Sequence, residues 1–322
     1  MGKGKRLFIS NSRCMKQFIT RVLFVIVSIL IGITTCEFFL RIIPNDYSFK
    51  NEWLSKNANS IRILNMGSSH AFFGIEPNLF SCKAFNAAHV SQSIKYDHFI
   101  FSKFAKDMDS LEVLILPVSI FSFVSNGPED GIEDWRVKYY SIYYHCDYHR
   151  FEPKYNLEVY DLHIKDVLYS ILGKANHRTC NDLGRGTTYK LDNRSIDWKE
   201  SGAISAKRHT IDEIDMNLVE KNKKMIEEIV DNCAEKNVQV VLLTTPTYYT
   251  YRENLNRNQL KIMEECCDYF IMRYDNVCYL NLLADDRFYD DDFYDADHLN
   301  EFGAAKLTLI LQQTIDTLLL RK

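Results

Sequence analysis

Ile61-Arg62-Ile63-Leu64-Asn65-Met66-Gly67-Ser68-Ser69-His70 is the stretch on which the reading of this 322-residue chain turns. Residues 61–66 are a short apolar run that stops at glycine, the pattern of a strand buried on both faces. A serine just past such a strand end, preceded by glycine, is presented to solvent with its backbone N–H unspent. An N–H in that position stabilises an oxyanion.

Working outward, the same rhythm recurs. Residues 83–87 predict a second strand. Residues 91–107 have helical spacing, with Ile94, Phe99, Phe101 and Phe104 available for burial. Residues 111–118 and 238–245 are continuous apolar strands, the latter stopped by Pro246, and residues 277–283 predict the last one. Between and after them, residues 217–236, 255–273 and 301–320 predict helices, the last with Asn300 as N-cap. Short apolar strands alternating with amphipathic helices predict an α/β fold, a parallel sheet with helices on both faces. Sites in such sheets lie beyond the carboxyl ends of the strands.

The far end of the chain offers the matching chemistry. In Asp295-Ala296-Asp297-His298-Leu299-Asn300, just before the last helix, an Asp three residues ahead of a His can fold back and accept the imidazole N–H. The other ring nitrogen is then free to act as a base, with an unperturbed limb at about pH 6.5. Asp297 is the immediate neighbour of His298, and its side chain is expected to diverge.

These two blocks together resemble the SGNH (GDSL-type) hydrolases. Gly67-Ser68-Ser69 matches that family's first block, with Ser in the middle, and Asp295-Ala296-Asp297-His298 matches its last. The resemblance spans residues 60–124 and 216–320. It implies an SGNH/flavodoxin-like fold, with Ser69 as nucleophile, His298 as base and Asp295 orienting it. By spacing from Asn86, Ser91 takes the place of the family's oxyanion glycine. The family's asparagine after the third strand is missing; Pro117-Val118-Ser119 stands there, and Ser119 is the stand-in. The subtype is similar to membrane-anchored SGNH proteins of bacterial cell envelopes, relatives of teichoic acid D-alanyl transfer and alginate O-acetylation proteins. That likeness implies a serine esterase or O-acyltransferase acting on ester-linked acyl groups, foremost acetyl, of an extracytoplasmic glycan. It implies a polysaccharide substrate and a multi-spanning membrane acyltransferase as partner. No cofactor and no metal are expected. The alternative is a catalytically weak or inactive SGNH-fold protein that binds glycan or scaffolds a polysaccharide-modifying complex.

The N-terminus carries Lys3, Lys5, Arg6, Arg13, Lys16 and Arg21 with no acid, followed by an apolar run at 22–36 that Phe38, Phe39 and Leu40 extend. Including Phe18 and Ile19, it approaches the ~20 residues that span a bilayer. The basic flank predicts a cytoplasmic tail at 1–16, an anchor at 17–41 and an outward-facing remainder in the bacterial cytoplasmic membrane. A cleaved signal peptide competes, but no small-x-small site follows cleanly. The main domain is expected over 55–322, with a chain starting near Asn51 still folding.

Residues 125–215 break the rhythm. An aromatic block (Trp135, Tyr139, Tyr140, Tyr143, Tyr144, Tyr148) and a polar loop at 181–193 read as an insertion that caps or borders the site.

Composition adds limits. The apolar fraction of 46% is ample for a core, and a net charge of −4 gives no footprint for nucleic acid. Nine cysteines show no CxxC pair or zinc spacing, and the sequence assigns no disulfide. Seven aspartates between Asp285 and Asp297 lack EF-hand spacing and read as a solvated loop. His145-Cys146-Asp147-Tyr148-His149 has no second half for a zinc site. His70 and His89 fall near strand ends, where a hydrogen-bonded structural role is expected. Residues 244–248 end a strand that Pro246 terminates, and border the pocket at most.

Overall fold

The computed structural model describes residues 4–320 and, from residue 13 onward, their side-chain surroundings. Five parallel strands form one sheet: β1 (Ile63–Asn65), β2 (Ala84–Asn86), β3 (Val113–Pro117), β4 (Gln239–Thr244) and β5 (Val277–Asn281). Their order is β2-β1-β3-β4-β5. This is the flavodoxin-like order, in which the chain reverses direction across the sheet between β1 and β3. A cleft opens at that switch point, beyond the carboxyl end of β1.

Alternation along the strands sorts side chains into two cores. Leu64, Leu114, Leu116, Val240 and Leu242 face one cluster, covered by the helices Ile94–Phe104, Met216–Glu235 and Arg257–Arg273. Ile63, Val113, Ile115, Val241 and Leu243 face the other, covered by the helix Glu301–Leu319 through Leu307, Leu311 and Ile315. Central strands buried on both faces explain why they read as unbroken apolar runs. Asn300 caps the last helix, its side chain accepting from the N–H groups of Phe302 and Gly303.

The helix Asp46–Asn57, capped by Asn45, buries Tyr47, Lys50 and Leu54, with Tyr47 and Leu54 in the first core. Lys50 is sequestered, its ammonium donating to the carbonyl of Ala88, and burial lowers its pKa to about 8. A chain starting at Asn51 lacks Tyr47 and Lys50 and keeps Leu54. The insertion is packed too: Val137, Tyr140, Tyr144 and Trp198 are buried.

Ahead of the domain runs a helix, Gly4–Arg41, whose portion Arg13–Arg41 is long and apolar enough to cross a membrane and is wholly unburied over its apolar window. Lys3 and the side chains of Lys5 and Arg6 lie outside the described residues. The nine cysteines are all unpaired.

Candidate active site

Gly67 shapes the entrance to the site. It holds φ +104°, and a Cβ there would lie 3.1 Å from the Pro117 ring, so only glycine turns the chain here without strain. Its N–H donates to Asp97 Oδ1 at 2.8 Å, and the same oxygen accepts from Gln92 Nε2 at 2.6 Å. Burial raises the Asp97 carboxyl to about 7, against the opposing pull of these two hydrogen bonds. One buried side chain thus ties the loop before Ser69 to the loop carrying Ser91. Ser69 then opens the short helix Ser69–Gly74.

Ser69 Oγ lies 2.8 Å from His298 Nε2, and His298 Nδ1 lies 3.0 and 3.2 Å from the two oxygens of Asp295. Asp295 Oδ1 also accepts the backbone N–H of His298 at 2.8 Å and of Asp297 at 3.1 Å. The Asp-x-x-His segment is therefore a tight turn folded around its first carboxylate. Phe293 and Leu299 pair across its base, and Ser201 Oγ, from the insertion, accepts the Ala296 N–H at 3.0 Å. The structure brings Ser69, Asp295 and His298 into one hydrogen-bonded chain.

Asp297 does not diverge. Its Oδ2 lies 3.6 Å from His298 Nδ1 and 3.6 Å from His70 Nε2, in a fully buried position. The turn that brings the Asp295 carboxylate to the ring also folds its neighbour back beneath it. Neither Asp297 oxygen has a hydrogen-bond partner among the described residues. Burial alone would raise this carboxyl; His298, His70 and His209 around it hold it well below the usual carboxylate range. Burial depresses His70, and drives His209 down to about 3. Burial pulls His298 downward as well, but Asp295 and Asp297 together outweigh it and raise the imidazole to about 9. The basic limb thus moves from the unperturbed 6.5 to about 9.

Beside this chain lies a cavity of about 330 Å³, lined by Ser69, Ser91 and His298 among others. More than half of its lining comes from the insertion, including Glu133, Tyr189, Arg208 and His209. Ser91 holds φ +58°, the left-handed conformation that glycine favours, and its hydroxyl donates to Glu133. Among the described residues, neither the Ser69 nor the Ser91 backbone N–H has a hydrogen-bond acceptor in the fold, and both residues line the cavity. Ser119 is placed differently from its expected role. Its N–H donates to Ser122 Oγ at 2.8 Å, and its hydroxyl meets His70 Nδ1 at 2.8 Å, behind the cavity. Ser122, which does line the cavity, was not singled out by sequence.

The other motifs are absorbed structurally. His89 bonds the Tyr144 hydroxyl at 3.0 Å and stacks on Tyr47. His149 sits between Glu129 and Glu152. In the acidic loop Asp285 pairs with Arg287, Asp290 with Lys199 and Asp292 with Lys306. Thr244 bonds the Val118 carbonyl at 3.0 Å and is not part of the cavity wall. His70, Asp297 and His298 are close enough to share an ion. An ion held there through His298 Nδ1 would compete with Asp295 for that nitrogen.

No protein-family model matches the chain, and no curated protein matches it. Similar solved structures include a provisionally assigned acylhydrolase from Bacteroides fragilis, at 10% identity over 83% of this chain and 95% of that one, TM-score 0.41. Another is a GDSL-like lipase from Bacteroides thetaiotaomicron, at 9% identity over 84% of this chain and 98% of that one, TM-score 0.41. With values this low, functional assignment rests on the geometry of the site.

Proposed function

We propose that the chain is a membrane-tethered serine esterase or O-acyltransferase of the SGNH kind, acting on ester-linked acyl groups of an envelope glycan. The observation that carries this reading is the unbroken chain Ser69–His298–Asp295 beside an open cavity at the sheet's switch point. In the first half-reaction Ser69 Oγ bonds to the acyl carbon while its proton passes to His298 Nε2. The carbonyl oxygen, now negative, meets the N–H groups of Ser69 and Ser91. His298 returns the proton to the leaving oxygen, and an acyl-serine remains. In the second half, water or a sugar hydroxyl gives its proton to His298 and takes the acyl group, freeing Ser69. Water makes an esterase and a sugar hydroxyl a transferase. The helix Arg13–Arg41 supports tethering, with the basic flank on the cytoplasmic side. Resemblance to envelope acyl-transfer proteins favours acetyl transfer, with a multi-spanning acyltransferase as donor partner.

One observation favours a weak or non-catalytic binder: Ser119, the stand-in for the third oxyanion donor, is committed elsewhere. Loss of one such donor costs about 10²–10³ in rate, which weakens an enzyme and leaves it working. Release of nitrophenol from nitrophenyl acetate separates the two. Ser69→Ala should abolish it and Ser68→Ala should leave most of it; the reverse would move the nucleophile to Ser68, and indifference to both would remove the hydrolase reading.

A further inference from the structure

The helix Ile164–Ile171, inside the insertion, is amphipathic the wrong way round. Ile164, Leu168, Ile171 and Leu172, at helical spacing, are each more than half exposed, while Val167 and Ser170 face the protein. Tyr160 and Leu162, just before it, are exposed as well.

This stripe is bolted to the outer end of the apolar N-terminal helix. The Glu37 carboxylate accepts the N–H groups of Glu158 at 3.2 Å and Val159 at 3.0 Å, and pairs with Arg41. Arg41 donates to the Asn156 carbonyl at 2.8 Å, and Ser170 Oγ donates to the Phe39 carbonyl at 2.6 Å. A charge this close to the apolar run is tolerable because its hydrogen bonds are filled.

The geometry sets the depth. Arg21 is the last basic residue before the apolar run, and Glu37 lies sixteen residues further on, the next charge. At 1.5 Å per residue that is about 24 Å, against a hydrocarbon core of about 30 Å. With Arg21 at the inner boundary, Glu37 and whatever grips it sit about 6 Å inside the outer one. Residues 157–172 therefore lie at the lipid–water boundary, with the exposed stripe at the level of the acyl chains and Lys165 and Lys174 available to headgroup phosphates.

We propose that residues 157–172 form an interfacial collar that inserts Ile164, Leu168, Ile171 and Leu172 into the outer leaflet and fixes the domain's orientation on the membrane. This rests on the helix Arg13–Arg41 spanning the bilayer. It commits to lipid as the occupant of the stripe, because the contacts to Glu37, Phe39 and Arg41 hold it at that depth.

The test uses the full chain in phosphatidylcholine vesicles with brominated acyl chains, reading tryptophan emission against the parent chain in unbrominated lipid. Phe24→Trp reports the anchor, Leu168→Trp and Ile164→Trp report the collar, and Met272→Trp, at an exposed site on the helix Arg257–Arg273, is the control. The added emission of the Phe24, Leu168 and Ile164 variants should fall at least about twofold on bromination, as for side chains sunk about 5–10 Å into the boundary, and that of Met272→Trp should not. Quenching of Phe24→Trp alone would overturn the collar and leave the anchor standing, the outcome also expected if a protein partner covers the stripe. No quenching of Phe24→Trp would overturn both.

Discussion

The cavity has two walls of different origin. One is made by the ends of β1 and β2 and the turn before the last helix, and it carries the groups proposed to react: Ser69, Ser91, Asp295 and His298. The other is made by the insertion, which contributes Glu133, Tyr189, Arg208 and His209 and packs against the first wall. Tyr189 shows how. Its ring stacks on Phe73, in the Ser69 helix, and on Tyr294, in the turn carrying Asp295 and His298, and stands edge-on to His298 at 5.2 Å. On the proposed reading, the contrast puts the chemistry at the sheet's end and its alignment in the segment between β3 and β4.

If that division is right, losses should be steepest on the sheet side. Ser69→Ala removes the nucleophile and should reduce ester hydrolysis to background. Asp295→Asn should cost about 10⁴ in kcat, since an amide holds the imidazole in the wrong tautomer. The insertion side should give less. Tyr189→Ala leaves every reacting atom in place but frees the His298 ring, and misplacement on the order of 1 Å should cost about 10²-fold in kcat. A loss as large as that of Ser69→Ala would break the contrast by putting chemistry on the insertion. Folded state in each variant is checked by circular dichroism.

Asp297→Asn gives the smallest effect and the sharpest one. A histidine base works only when neutral, so with His298 raised to about 9 activity should rise with pH through that value. Removing the Asp297 charge, 3.6 Å from Nδ1, should move the limb down by about one pH unit or more, toward neutrality. Activity well below the limb should rise rather than fall. A limb that stays at about 9 would mean that Asp295 alone sets the ring's basicity.

Legibility in the sequence follows the same divide. The strands β1 to β4 were readable because they are buried on both faces, which leaves an apolar run that needs no partner to be recognised. Helix ends were readable where a cap such as Asn300 marks them. Ser69 and the Asp295–His298 pair were readable because strand end and last helix bracket them. The helix Asp46–Asn57 was not, since it buries a lysine among few apolar residues and so lacks a periodic face. Asp297 was misjudged because adjacency in a loop says nothing about side-chain direction; only the Asx-like turn around Asp295 decides it. Tyr189, Arg208 and His209 carried no signal as individual residues, although the insertion that holds them reads as capping or bordering the site. They reach the site through tertiary packing of a segment with no strand or helix rhythm.

The central claim, that Ser69 is activated by His298, is tested most directly by labelling the purified protein with a fluorophosphonate and mapping the adduct by mass spectrometry across pH. The adduct should fall on Ser69, form faster as pH rises through about 9, and vanish in both Ser69→Ala and His298→Gln. An adduct on another residue, or labelling of Ser69 that is unchanged in His298→Gln, would contradict it.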